Sequence, residues 1–186
     1  MFERALQQIY ATINDLSELV QVQKQRHYAP TELVALDTLT TEVLLSIQEQ
    51  LTATGATVST SFGAAPAVTF VRPSLQSILY NLLSNSLKYA APGRPPRIQV
   101  SSAFLDGNLV LTVQDNGLGI DLARFGSQLF QLFRRFHDHV EGSGMGLYIV
   151  NRIAQGHGGH VEVDSTVGEG STFRVYLPVA AEEGSR

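Results

Sequence analysis

Two alternating segments separated by a turn constrain the fold of this chain most. Residues 98–104 and 109–114 alternate apolar and polar side chains, and Asp106-Gly107-Asn108 lies between them. Turn residues of this kind between alternating segments are a signal for a β-hairpin. Further strands are predicted over residues 32–36, 57–62, 67–71, 161–165 and 171–177.

Helical segments lie between these strands. Asp37 is a suitable N-cap for a helix over residues 38–54, and Gly55 follows its end. A second helix is predicted from Pro73, in its first turn, to Ala91, and a third over residues 146–155. The order of elements predicts an α+β sandwich with helices on one face of a sheet.

A long helix is predicted to precede this fold, over residues 3–26. Apolar residues recur there at alternating steps of four and three, the 3.5-residue period of a helical bundle, at Phe2, Leu6, Ile9, Ile13, Leu16 and Val20. Pro30 ends the helix, because proline disfavours helix in the residue before it. Such a stripe is unfavourable in water, so the helix must fold back or pair with a copy of itself. Its period favours pairing, and we expect a homodimer through residues 3–26.

Composition excludes several classes of protein. The 186 residues suit one domain, and 17 acidic against 13 basic residues give a net charge of −4, which argues against a nucleic-acid binder. The absence of cysteine excludes disulfides, thiolate zinc sites and a cysteine nucleophile. The sequence shows neither a signal peptide nor an apolar run long enough for a membrane helix. We therefore expect an intracellular, soluble domain.

Two asparagines and a lysine share one face of the predicted helix 73–91. Asn81, Asn85 and Lys88 are spaced at i, i+4 and i+7. Asparagine is unfavourable inside a helix because its amide competes for backbone hydrogen bonds. The face is either a metal–phosphate site, with an amide oxygen for a hard cation and an ammonium for phosphate, or a solvated polar face.

A second candidate site follows the predicted strand 109–114. In Asp115-Asn116-Gly117-Leu118-Gly119 the glycines permit a tight turn and the close approach of a flat ligand. The carboxylate can accept a hydrogen bond from an exocyclic amine such as that of adenine. Read alone, the same residues also suit an ordinary turn.

Two glycine clusters complete the candidate motifs. Residues 142–147 (Gly-Ser-Gly-Met-Gly-Leu) lead into a predicted helix, where exposed N–H groups and the helix dipole favour phosphate. A dinucleotide-binding fingerprint is the rival, but the spacing is G-x-G-x-G and no strand directly precedes it. Residues 168–172 (Gly-Glu-Gly-Ser-Thr) separate the last two predicted strands and could be a hairpin turn. The irregular stretch 115–144 has the length of a lid or binding loop.

Together these motifs resemble the ATP-binding domain of sensor histidine kinases, in the GHKL group that also holds gyrase and mismatch-repair ATPases. The resemblance covers about residues 31–178, and its motifs are the N box (81–89), the G1 box (115–119), the F box (130–133), the G2 box (142–147) and the last glycine motif (168–173). Residues 133–137 and 157–159 are most similar to phytochrome-like, PAS-linked kinases. The resemblance implies the Bergerat fold, with a mixed, mostly antiparallel sheet.

The resemblance also implies a role for each matching position. Asn85 would coordinate Mg²⁺, Asp115 would accept from the adenine amine, and Arg135 would approach the γ-phosphate of ATP. Lys88 and the residues of 143–147 would contact phosphates, and Tyr89 would lie against the purine. The further positions implied to contact ATP are Gly117, Gly119, Ile120, Phe133, Ser143, Gly144, Gly146, Leu147 and Thr172, the last through water. Phe130 and Phe133 would anchor a lid over residues 120–144.

Asn81 separates the subclasses of the group. Hydrolytic members place a glutamate here as the general base for water. An amide cannot accept a proton at neutral pH, so hydrolysis should be slow and transfer of phosphate to a side chain is favoured. We count Asn81 and Arg135 as the catalytic residues on this reading.

The phosphoacceptor is missing from the expected place. His137-Asp138 has the expected dipeptide but lies in the predicted lid. Zinc binding by the histidine pairs 137/139 and 157/160 has no support from cysteine or glutamate, and a solvated loop is the alternative.

The resemblance identifies residues 1–28 as the second helix of a dimerisation and phosphoacceptor hairpin, 31–178 as the catalytic domain and 179–186 as a tail. The acceptor histidine is then expected on a hairpin outside this chain, and a response regulator receiver domain is the expected downstream partner. The domain is expected in the cytoplasm, whether its parent is soluble or membrane-anchored.

Two other functions compete with a histidine kinase. A serine kinase of the anti-sigma-factor type shares the nucleotide-binding fold, but such chains usually lack the leading helix. A hydrolytic ATPase, or a nucleotide-binding module without catalysis, is the second alternative. Asn81 disfavours hydrolysis, and the intact motifs disfavour loss of catalysis.

Overall fold

The structure is a computed structural model that describes residues 13, 17, 30–134 and 144–179. Ile13 and Ser17 are helical, and Ser17 Oγ donates to the carbonyl of Ile13 at 2.9 Å. The rest of the predicted N-terminal helix and the tail from residue 180 lie outside the described residues, as do Arg135 and Ser143.

The described residues form seven strands and five α-helices. The strands are β1 (Glu32–Ala35), β2 (Thr57–Ser61), β3 (Ala67–Phe70), β4 (Arg97–Leu105), β5 (Asn108–Asp115), β6 (His160–Thr166) and β7 (Gly170–Pro178). The helices are α1 (Leu36–Ser46), α2 (Gln48–Thr54), α3 (Arg72–Lys88), α4 (Leu122–Phe125) and α5 (Gly146–Gly156), and a 3₁₀ turn follows α4 at Gly126–Gln128.

The main sheet has five strands in the order β2-β4-β5-β7-β6. The pair β2–β4 is parallel and the other pairs are antiparallel, so the sheet is mixed and mostly antiparallel. The predicted hairpin is confirmed, with Leu105 opposite Asn108 next to its turn. Strands β2 and β3, which are adjacent in the chain, belong to different sheets, because β3 pairs with β1.

The predicted helix 38–54 is wrong in two respects. It is two helices, because Ile47 has a non-helical backbone (φ −114°, ψ 18°) with its side chain in the core, 2% exposed. The first helix begins at Leu36, so Ala35 is the N-cap and Asp37 lies in the first turn. Burial of Leu36 sets this start, and Asp37 still interacts favourably with the helix dipole.

One apolar core joins the helices to one face of the main sheet. It extends in sequence from Val34 to Leu177 and lies between α1, α3 and α5 on one side and the sheet on the other. Alternation along β5 and β7 directs six of their buried apolar residues to this face: Leu109, Leu111, Val113, Phe173, Val175 and Leu177. The predicted α+β sandwich is therefore confirmed. Among the described residues, no helix combines the length and hydrophobicity needed to cross a membrane.

Candidate functional site

Asp115 lies at the end of β5 and faces the helices. Its Oδ1 accepts hydrogen bonds from the backbone N–H groups of Gly117 (2.8 Å) and Ser171 (3.3 Å). Its Oδ2 accepts one from Ser86 Oγ of α3 at 3.2 Å. A carboxylate oxygen has two lone pairs, so Oδ2 has capacity for one further donor. The carboxylate is thus held by three elements and can still receive a ligand amine.

Partial burial shifts the pKa of this carboxyl group. Loss of solvent raises the pKa of Asp115 above its ordinary value of 3.8. The hydrogen bonds from Gly117, Ser86 and Ser171 oppose this rise in pKa, and so does the positive charge of Arg94. A half-buried carboxyl group with a shifted pKa and specific hydrogen-bond donors is typical of a functional site.

Glycine is required at two positions of the loop after Asp115. A Cβ on Gly117 would lie 2.5 Å from the Tyr89 carbonyl oxygen. Gly119 has φ +69°, and a Cβ there would lie 2.0 Å from the carbonyl oxygen of Thr166. These contacts, with the hydrogen bond from Leu118 N to Tyr89 O (2.9 Å), hold the loop between α3 and the end of β6.

The structure places Ser171, and not Thr172, beside Asp115. Ser171 is the register partner of Asp115, whereas Thr172 pairs with Gln114. Side chains alternate across a strand, so Thr172 lies on the opposite face of the sheet from the carboxylate. Ser171 is buried, and its Oγ is 2.9 Å from Ser165 Oγ. The motif in the sequence pointed to Thr172, and the structure places Ser171 there instead. The motif alone does not define which side chains of the strand face the helices.

The two asparagines of α3 face the start of α5. A Cβ on Gly146 would lie 2.8 Å from Asn81 Oδ1 and 3.4 Å from Asn85 Nδ2. Asn81 is 7% exposed, and its Nδ2 donates to the Ser77 carbonyl at 2.9 Å, so its amide oxygen is directed toward Gly146. Asn85 is half-buried. The predicted N box and G2 box therefore meet, although 61 residues (146 minus 85) separate Asn85 from Gly146.

Lys88 and Tyr89 end this helix next to the loop. Lys88 is the last residue of α3 and is exposed. Tyr89 is the half-buried C-cap, and its N–H donates to the Asn85 carbonyl at 2.9 Å. Both residues lie at the same end of α3 as Ser86, which contacts Asp115.

The lid segment is described in part. Phe133 is 54% exposed and has φ +61°, whereas Leu129 is 4% exposed and Phe130 is half-buried against the core. The expected anchor of Phe130 and Phe133 is thus corrected to Leu129 and Phe130. Gly144, at φ +74°, lies against the backbone of residues 133 and 134, where a Cβ would be 2.7 Å from the Arg134 carbonyl oxygen.

Two apolar residues that are expected to contact ATP lie at the edge of the core. Ile120 and Leu147 are half-buried and pack against the core. Ile120 N donates to Ser165 Oγ at 2.8 Å, which continues the loop contacts begun at residue 118. Ile120 can present an apolar surface to a flat ligand beside Asp115, whereas Leu147 follows Gly146 at the start of α5.

Sequence reasoning did not find Ser86, Ser165 or Arg94. Ser84 and Ser86 both adjoin Asn85, so sequence position does not single out Ser86, and Ser165 is one of two hydroxyl residues in β6. Arg94 lies in the proline-rich segment 92–96 between α3 and β4, outside every motif that the sequence offers. No sequence signal separates these residues from surface residues, because Ser86, Arg94 and Ser165 contact Asp115, Gly168 and Ile120 across 29, 74 and 45 residues of sequence.

The two histidines after α5 have structural contacts. His157 Nε2 lies 3.1 Å from Ser74 Oγ, and its ring lies 4.6 Å from that of Phe70. His160 stacks on Tyr176 with ring centroids 4.4 Å apart. Among the described residues, no three His, Cys, Asp or Glu side chains cluster as metal ligands would.

Comparison with known proteins agrees with this geometry. Residues 71–181 match the sequence profile of the histidine kinase-, DNA gyrase B- and HSP90-like ATPase family. The chain is 32% identical to the phytochrome-like protein Cph1 of Synechocystis over 90% of its own length and 22% of that protein. It is 30% identical to the circadian input-output histidine kinase CikA of Synechococcus elongatus, over 89% of its length and 22% of that protein. The chain thus spans about a fifth of the length of these relatives.

A solved structure supports the fold. The Acinetobacter baumannii histidine kinase AdeS superposes with a TM-score of 0.68 at 21% identity, over 89% of this chain and 76% of that one. Because residues 71–181 match the family profile and include α3, the Asp115 loop and Gly146, the chain belongs to the histidine kinase-, DNA gyrase B- and HSP90-like ATPase family, and its fold is the ATP-binding domain found in sensor histidine kinases.

Proposed function

We propose that this chain binds Mg²⁺-ATP and acts as the catalytic domain of a sensor histidine kinase. It would transfer the γ-phosphate of ATP to a histidine on a helical hairpin, for relay to the receiver domain of a response regulator. The relatives named as histidine kinases support this class of function. The geometry of helix α3 is the observation that carries the proposal.

Adjacent residues of α3 serve two halves of one site. Ser86 donates to Asp115, and Asn85 faces Gly146 at the start of α5. A purine amine at Asp115 Oδ2 and phosphates at Gly146 would therefore be bound by consecutive residues of one rigid helix. A nucleotide extends from base to phosphates, so this arrangement matches its two chemically different ends.

The residues present fit a magnesium–phosphate group. The absence of a side chain at Gly146 leaves space beside the amide groups of Asn81 and Asn85. An amide oxygen is a hard ligand of the kind that Mg²⁺ uses, together with water and substrate phosphates. Asn85 would hold the ion, which when bound neutralises charge on the phosphate oxygens. The N–H groups at the start of α5 would face the phosphates, where the helix dipole is favourable.

At the base end, the pocket is polar on one side and apolar on the other. Asp115 would accept from the adenine amine, and Ile120 and Tyr89 would contact the purine. Gly117 and Gly119 would let the loop backbone approach the ring. Ser171 takes the place expected for Thr172, because its side chain is on the face of Asp115.

The choice between transfer and hydrolysis rests on Asn81. Its amide cannot remove a proton from water, so the position lacks a general base. It can instead fix the phosphates or metal through its oxygen, which is directed toward Gly146. A nucleophile supplied by another helix would then outcompete water. We propose further that Lys88, Ser143, Gly144 and Leu147 contribute to phosphate binding and that Arg135 offsets charge developing on the γ-phosphate.

The kinase proposal is tested by labelling the chain in the presence of its acceptor hairpin with ATP that carries radioactive γ-phosphate. We expect protein-bound phosphate that is lost in acid and retained in alkali, as for phosphohistidine. Acid-stable, alkali-labile phosphate would indicate the serine kinase alternative. Release of free phosphate without labelled protein would indicate the hydrolytic alternative.

Metal dependence is tested with Asn85→Ala. Calorimetry should show that this variant no longer gains ATP affinity on addition of Mg²⁺, because the amide ligand is lost. Gln76→Ala is the matched control, since Gln76 is an exposed residue of the same helix. If ATP affinity depends on Mg²⁺ equally in Asn85→Ala and in the wild-type chain, Asn85 does not bind the metal.

A further inference from the structure

Arg94 contacts both loops that surround Asp115. Its Nε donates to the Asn116 carbonyl at 2.7 Å, and its Nη2 donates to the carbonyls of Gly117 (2.8 Å) and Gly168 (2.9 Å). The Glu169 carbonyl lies 3.4 Å from the same Nη2. One guanidinium therefore joins the loop 115–119 to the β6–β7 turn at residues 167–169.

The backbone donors that hold the carboxylate lie in the first loop and directly after the second. The first contributes Gly117 N, and the second leads into β7 at Ser171 N, and both N–H groups donate to Asp115 Oδ1. Gly168 N also donates to the Leu118 carbonyl at 2.7 Å, so the loops are in direct contact. A change in their separation would move both donors relative to Asp115.

Only arginine has the geometry for this set of contacts. Its guanidinium is a planar fork with five N–H donors, whereas lysine carries a single ammonium group on a flexible stem. Hydrogen bonds from a charged donor are stronger than neutral ones. The carbonyls of Asn116 and Gly117 leave the sheet at the end of β5, so Arg94 replaces the ladder hydrogen bonds that they would otherwise make.

We propose that Arg94 is a positioning residue for base recognition. It holds the loop 115–119 and the turn 167–169 at the separation at which Gly117 N and Ser171 N orient Asp115 toward the 6-amino group of the purine. This inference rests on the proposed nucleotide-binding function, and it assigns to Arg94 a part of the selectivity for adenine.

The test compares two nucleotides by calorimetry, ATP and purine riboside triphosphate, which lacks the 6-amino group. Arg94→Ala should weaken ATP binding about tenfold, as expected for coupled neighbouring groups. It should weaken binding of purine riboside triphosphate only slightly, because that ligand has no amine for Asp115. Arg94→Lys should behave like Arg94→Ala, since one ammonium cannot bridge both loops.

Arg97→Ala is the matched control, because Arg97 is an exposed arginine at the start of β4, three residues from Arg94, whose contacts with Asn116 are made by its backbone. It should leave both affinities unchanged. Should Arg94→Ala fail to fold, as judged by thermal unfolding, Arg94→Lys gives the same comparison with the side-chain stem retained.

Three results would overturn the proposal: unchanged ATP affinity in Arg94→Ala, equal weakening of both nucleotides, or full ATP affinity in Arg94→Lys. The last would show that charge alone suffices. Wild-type chain that binds both nucleotides equally would overturn the role of Asp115 as well. If the wild-type chain and Arg94→Ala prefer ATP over purine riboside triphosphate to the same degree, only the role of Arg94 is overturned.

Discussion

Ser86 of α3 and Asp115 of β5 are joined by a hydrogen bond of 3.2 Å from Oγ to Oδ2, across 29 residues of sequence. Ser86 Oγ also lies 3.1 Å from the Leu82 carbonyl oxygen of its own helix, so its one O–H proton is shared between an acceptor on the helix and one on the sheet. The bond fixes the helix that carries Asn85 relative to the strand that carries the carboxylate. The proposed base and phosphate ends of the site are therefore linked through these two side chains.

Replacement of the carboxylate should change nucleotide selectivity. In Asp115→Asn the new amide can turn its N–H groups toward the purine amine, so two donors would meet. A hydrogen bond to a charged group contributes about 1.5–3 kcal/mol, so ATP affinity should fall about tenfold to hundredfold. Competition between ATP and GTP measures the effect. Unaltered discrimination between ATP and GTP would show that Asp115 is a turn residue that does not recognise the base.

The same substitution should stabilise the protein without ligand. The folded-state pKa of Asp115 is raised by burial, so the folded protein holds this proton more tightly than the unfolded chain. Stability from this group is present below the ordinary pKa of 3.8 and is lost as the pH rises through the folded pKa. Asp115→Asn should therefore unfold at a higher temperature than wild type at pH 7. Thermal unfolding across pH should show this difference shrinking in acid, and a constant difference would indicate a packing effect instead.

A methyl group at the start of α5 should impair phosphate binding more than folding. In Gly146→Ala the added carbon would lie 2.8 Å from Asn81 Oδ1, so the asparagine must move. Mg²⁺-ATP affinity should fall about tenfold or more, because binding groups tolerate little displacement. The melting temperature should change little, since alanine favours helix.

Gly63→Ala is the control for this substitution, because a Cβ there meets no heavy atom within 4 Å. It should leave nucleotide affinity unchanged. Equal affinity of Gly146→Ala and Gly63→Ala for Mg²⁺-ATP would show that Gly146 does not adjoin the bound phosphates.

Nucleotide binding should protect the lid segment 120–144 from hydrogen exchange. Leu129 and Phe130 attach its first part to the core, whereas Leu132 and Phe133 are 37% and 54% exposed. We expect exchange after residue 130 to slow on addition of ATP, because low-stability segments gain most from ligand contacts. Hydrogen-exchange mass spectrometry measures this, and equal protection with and without ATP would identify a fixed element.

The apolar stripe of the N-terminal segment should produce a dimer. Each of its six side chains, at positions 2, 6, 9, 13, 16 and 20, gains about 1.5–3 kcal/mol on burial, so pairing with a second copy is favoured. Ile13→Glu places a charge in this stripe and should shift the sedimentation coefficient toward that of a monomer. A wild-type chain that stays monomeric at high concentration would contradict the pairing.

Local patterns predicted the elements well where neighbouring residues decide them. The hairpin around Asp106-Gly107-Asn108 depends on a short turn and on alternation, and both are visible in the sequence. The start of α1 was missed because burial of Leu36, a tertiary effect, outweighs the capping preference of Asp37. The partner strands of β2 and β3 were likewise decided by contacts distant in sequence.

The sequence by itself determined the class of the fold and the family to which its motifs point, and it proposed Asn81, Asn85 and Asp115 as site residues. Only the tertiary structure decided that Ser171 rather than Thr172 faces Asp115, that Leu129 rather than Phe133 anchors the lid, and that Arg94 joins two loops. The reason is physical. A helix or turn is specified by residues within a few positions of each other, whereas strand register, burial and hydrogen bonds between loops depend on which distant segments the core brings together.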